Sequence, residues 1–124
     1  MFLFHWKEES QHAILDELEW ECEHVRLTPK ERDAAVDDLI ALVGAIDRIL
    51  QQQAAADARY FVATSPQALT PAQDGRVAAG LLDAYRWQYI VSGVQAPRFR
   101  QSLIAMTTPA QLQRIHAALE PLVA

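Results

Sequence analysis

His5, Glu9 and His12 stand in the order HxxxExxH within the first dozen residues. At about 100° per residue they point roughly 0°, 40° and −20° around a helix axis, so three good metal ligands share one narrow stripe. Asp16 falls at roughly 20° and extends the row by another turn. A carboxylate flanked by imidazoles suits iron, manganese or zinc. The stripe reads as half of a metal site, because no second motif of equal quality follows it.

Glu9-Ser10-Gln11-His12 also has the Glu-x-x-His spacing that two-metal carboxylate proteins place on one helix of a bundle. Residues three apart face the same interior point, and carboxylates from other helices bridge the ions. The plain alternative is a solvated polar face on an acidic helix. Glu21-Cys22-Glu23-His24 repeats the spacing near the helix end and is read in that plain way. Two further acids enter as weaker ligand candidates. Asp47 and Asp57 project from the apolar stripe Val36, Leu39, Ile40, Val43, Ile46, Leu50, Ala54, Ala58 and Phe61. A carboxylate on a buried face must be paired, hydrogen-bonded, protonated or metal-bound.

The run Phe4-His5-Trp6-Lys7-Glu8-Glu9-Ser10-Gln11-His12-Ala13 resembles the late metal-binding helix of ferritin-like di-iron proteins, particularly the p-aminobenzoate N-oxygenase-like group. The resemblance implies that His5, Glu9 and His12 are ligands of a dioxygen-activating di-iron centre, with Glu9 as the bridge. It covers this one helix only. In that group the other carboxylates and a second Glu-x-x-His come from helices preceding the motif, whereas this sequence starts at the motif. Two expectations follow: a C-terminal part of a longer ferritin-like protein, which we favour, or copies that each contribute a half-site.

The elements that must hold these residues are marked by local signals. Thr28-Pro29-Lys30-Glu31, Thr70-Pro71-Ala72-Gln73 and Thr108-Pro109-Ala110-Gln111 each put Thr at an N-cap, Pro at the first helical position and Glu or Gln at the third. The hydroxyl accepts an early N–H, Pro has none to leave unpaired, and the acid or amide reaches back to the cap. Pro97 starts a further short helix after Ser92-Gly93. The pattern predicts five helices, over 2–25, 29–62, 71–93, 97–105 and 109–121, with the longest loop at 63–70. No useful period-2 strand pattern occurs. The expected fold is all-α, a helical bundle that is ferritin-like or part of one, with 1–124 as a single domain.

The first helix begins at Met1 with no capping residue ahead of it. Leu3, Phe4, Ile14, Leu15, Leu18, Cys22 and Val25 fill an arc from roughly 160° to 280°, and Phe2, Trp6, Ala13 and Trp20 add a patch near 60–100°. A helix apolar on two sides sits between neighbours. Those neighbours are expected to be other copies of the chain or a preceding segment.

Composition narrows the function classes. The net charge is −5; residues 1–63 hold 13 acids and 6 bases, and 64–124 hold 3 acids and 5 bases. This is no basic footprint for phosphates, so nucleic acid is not an expected partner. No apolar run reaches membrane length, and the opening residues are too short for a signal peptide. With one cysteine there is no internal disulfide, and a cytoplasmic setting follows by default. Cys22 among acids is no expected nucleophile. Ser10 lacks the strand-to-helix elbow of a hydrolase. Tyr85, Trp87 and Tyr89 with Arg86 and Arg98 read as packing before they read as a pocket, and His116 as a surface or packing residue.

The leading expectation is a metal-binding helical protein carrying part of a di-iron or related di-metal site. Manganese or zinc are the other metals. With its missing ligands supplied by another segment or chain, it would be a non-haem oxidase or oxygenase. The alternative is a non-catalytic all-α interaction module that homodimerises through its first helix. A homo-oligomer, most simply a dimer, is expected on either reading.

Overall fold

The computed structural model of the chain describes residues 2–123. Helix α1 (Phe2–Arg26) is followed by α2 (Pro29–Thr64), α3 (Pro71–Arg86), a π turn (Trp87–Val91), α4 (Ser92–Gln95), α5 (Pro97–Met106) and α6 (Pro109–Val123). No strand occurs among the described residues. The all-α expectation is borne out, and each expected helix is present. α2 runs two residues past its expected end, so the loop shortens to 65–70. The expected 71–93 helix reaches Gln95 by passing through the π turn. Met1, the position before α1, and the side chain of Phe2 lie outside the described residues.

The three Thr-Pro starts form as the local chemistry requires. Thr28 N–H donates to Glu31 at 2.8 Å while Glu31 N–H donates to the Thr28 hydroxyl at 3.3 Å. Thr70 and Gln73 repeat the exchange at 2.8 and 3.4 Å. At Thr108 and Gln111 the distances are 2.9 and 3.3 Å. Each box satisfies two N–H groups that a bare helix start leaves unpaired. Gln111 does more: its amide also donates to Asp33 at 3.2 Å, tying the start of α6 to α2.

α2 is the spine. Its C-terminal half pairs with α3, which folds back after the short loop, and its N-terminal half carries α6. Arg114 of α6 bonds Asp33 at 2.7 Å and also bonds Asp37. Val36, Leu103 and Ile115 form the buried core where α2, α5 and α6 meet, with Trp20, Leu39, Ile40, Phe99, Leu112 and Leu119 packed against it. Farther along α2, Leu50, Ala54 and Ala58 are buried. The π turn, whose Trp87 carbonyl accepts the Ser92 N–H, exposes Trp87 and Tyr89 and buries the consecutive Ile90 and Val91.

α1 joins this body through α5. Trp20 stacks on Phe99, with ring centroids 5.9 Å apart and planes 25° apart. Beside them Glu17 accepts from Arg98 at 2.6 Å and from the Ser102 hydroxyl at 3.1 Å. One apolar side of α1 is thus partly covered and the other is open: Leu3, Phe4, Leu15, Leu18 and Val25 are exposed, as is Ile14 at the border, which also lines the cleft between α1 and α5. Phe61, which the sequence puts on the α2 stripe, is exposed too. The chain exposes 9,371 Å². A compact monomer of its mass exposes about 6,700 Å². No described helix is long and apolar enough to cross a membrane.

Candidate functional site

α1 keeps helical geometry from Phe2 onward, so His5, Glu9 and His12 do line one stripe. The Glu9 carboxylate lies between the imidazoles, one oxygen toward each. His5 Nδ1 is 3.9 Å from Glu9 Oε1 and His12 Nδ1 is 3.6 Å from Glu9 Oε2. These separations exceed a hydrogen bond, and both are pairings of charge only when the imidazole is protonated. All three side chains face solvent, at 70%, 58% and 56% exposure for His5, Glu9 and His12.

Donor type and reach suit a metal, while donor number within one chain does not. His5 and His12 are seven residues apart, about 10 Å along the axis, too far to share one ion with ordinary bond lengths of about 2 Å. Glu9 can pair with either. Each ion would therefore draw two ligands from α1 and the remainder from elsewhere. Among the described residues no three His, Cys, Asp or Glu side chains converge closely enough to hold a metal ion.

The weaker candidates go three ways. Asp16 stays on the stripe but turns toward the cleft of about 690 Å³ between α1 and α5, whose walls include Glu17, Trp20, Arg98, Phe99 and Ser102. Asp47 is buried, with its side chain 7% exposed. Arg86 grips it with Nε at 2.7 Å and a terminal nitrogen at 3.1 Å, and Gln51 donates at 2.6 Å. The Arg86 bond, aided by Gln51, holds the Asp47 carboxyl below its ordinary range despite the opposing effect of burial. Asp57 accepts from the Tyr85 hydroxyl at 2.6 Å and twice from Gln53 at 2.9 Å. The Tyr85 bond lowers the Asp57 carboxyl and raises the Tyr85 phenol. Both α2 carboxylates fasten α3 to α2, and neither lines the cleft beside α1.

Other singled-out residues separate as well. Arg86 serves α2, Tyr85 serves Asp57, and Arg98 serves Glu17, so the aromatic group with its two arginines is not one pocket. The Ser10 hydroxyl donates to the Trp6 carbonyl at 2.7 Å, a bond internal to the helix. Cys22 and His116 are exposed. His24 has its pKa lowered, by partial burial first and by Arg32 second. Glu17 and Ser102 were not legible as cleft residues. Their link spans 85 positions, and a single acid in an acidic helix carries no signal of such a partner.

Comparison with family models, curated proteins and solved structures finds no match to this chain.

Proposed function

We propose that α1 forms one wall of a di-metal carboxylate site, with His5, Glu9 and His12 as its ligands and Glu9 as the bridging carboxylate. The observation that carries this reading is the placement of one Glu9 oxygen toward each imidazole, on a stripe that no other described element covers. Asp16 extends the same stripe at its cleft end. The remaining ligands come from another segment or chain lying along the stripe. Iron is the metal we favour, with manganese and zinc as rivals for the same donors. Bound iron would supply the redox chemistry of an oxidase or oxygenase.

The chain's own residues have definite tasks. His5 and His12 would each hold a metal, with Glu9 between them as a ligand to either. The Ser10 hydroxyl donates to the Trp6 carbonyl and lies about 140° around the helix from His5, off the stripe. A single exposed cysteine and helices short of membrane character fit a reducing, cytoplasmic setting.

Anaerobic titration of the full chain with Fe²⁺, Mn²⁺ and Zn²⁺ tests the reading. Metal should raise the melting temperature of the wild type by ligand linkage. His12→Ala and Glu9→Gln should each weaken binding by at least about tenfold while leaving helix content unchanged. Equal metal affinity in the wild type and both variants would sink it.

A further inference from the structure

We infer that the open arc of α1 is a self-association surface on which a second copy of this chain docks with its own α1 antiparallel. The arc runs roughly 150° around the helix from the metal-ligand stripe, so this inference is independent of the metal reading.

Area gives the first argument. The chain exposes 9,371 Å². That is about 40% more than a compact monomer of its mass. Within the excess, Leu3, Phe4, Ile14, Leu15, Leu18 and Val25 form a row along one helix, with Phe4 76% and Val25 74% exposed. The six together present on the order of 600 Å², as large as the patches that mark protein interfaces. Covering the row in both copies removes about 1,200 Å², the lower bound of a specific interface. Leu42 and Ile49 on α2 are exposed as well, but α1 carries something they do not.

That feature is charge. Of the seven acids on α1 only Glu21 falls inside the arc, and Lys7 is the only base there. Both are exposed, and among the described residues neither has an ion-pair partner. They stand at opposite ends of the row, seven residues on either side of Ile14. An antiparallel pair centred on Ile14 sets Lys7 against the partner's Glu21 twice and Leu3 against the partner's Val25 twice. A parallel pair sets Lys7 against the partner's Lys7 and Glu21 against the partner's Glu21. Opposite charges across helix seams select orientation, and the first arrangement alone satisfies both groups. The antiparallel match of one patch with itself also closes the assembly at two copies.

Sedimentation equilibrium of the full chain in chelator tests this without any metal bridge. The expected mass is twice the 13.9 kDa of the chain. Ile14→Lys should raise the dimer dissociation constant about 100-fold by placing two like charges on the two-fold axis. Lys7→Glu should raise it about tenfold, and adding Glu21→Lys should restore it to within about threefold. His12→Ala should leave it unchanged. Circular dichroism checks that each variant keeps its helices. A monomer at all concentrations, a dimer indifferent to Ile14→Lys, or a charge swap that fails to restore association would overturn the inference.

Discussion

Asp47 on α2 and Glu9 on α1 are carboxylates on long helices, one fully engaged and the other open. Asp47 is buried and accepts three hydrogen bonds from Arg86 and Gln51. Glu9 is more than half exposed, and its nearest imidazole nitrogen, on His12, stands at 3.6 Å, beyond a hydrogen bond. The contrast separates structure from availability. A carboxylate whose lone pairs are taken up by its own fold contributes rigidity, whereas one poised between two imidazoles keeps its oxygens for something else.

The largest effect that could break this contrast is at Asp47. Asp47→Ala should cost about 3 kcal/mol in urea denaturation, because it strands the largely buried Arg86 charge. A loss as small as a surface substitution would mean that Asp47 is no more engaged than Glu9.

Acid should loosen the engaged carboxylate. The folded Asp47 pKa lies below the unfolded value, so its stabilisation is fully present above about pH 4. It is lost as pH falls through the lower folded value. Asp33 and Asp57, lowered in the same direction, add to the acid limb. The unfolding free energy of the wild type should therefore drop steeply at low pH. Asp47→Ala should flatten that drop.

A smaller effect comes from the caps. Thr108→Ala should cost about 1 kcal/mol in the same denaturation experiment. It frees the Gln111 N–H and loosens the residue that joins α6 to Asp33. The smallest effect is expected at the stripe itself: in chelator, His5→Ala and His12→Ala should each stay within about 0.5 kcal/mol of wild type. A larger loss would place those imidazoles among the structural groups, with Asp47.

Legibility in the sequence follows the range of each interaction. The helix starts at Pro29, Pro71 and Pro109 were readable because a capping box closes over three residues and needs no tertiary partner. The stripe of His5, Glu9 and His12 was readable because helical spacing alone aligns it. The sequence also required that Asp47 and Asp57 be neutralised on their apolar face, without naming how. Arg86 lies 39 positions from Asp47 and Tyr85 lies 28 from Asp57, so no local pattern links them. The π turn was unreadable because Trp87–Val91 contains no Gly, Pro or capping pattern that would announce a widened turn.

By itself, then, the sequence determined the helices, their caps and the alignment of three candidate metal ligands on α1, because each depends on contacts or spacing within about two turns of one helix. Only the tertiary structure decided which faces were occupied. Packing of Trp20 on Phe99 covered one side of α1 and left the apolar arc open. Partners reaching across from α3 claimed Asp47 and Asp57 and left Glu9 between its imidazoles. Those choices depend on which distant side chains arrive at a surface, and that is fixed only when the helices pack.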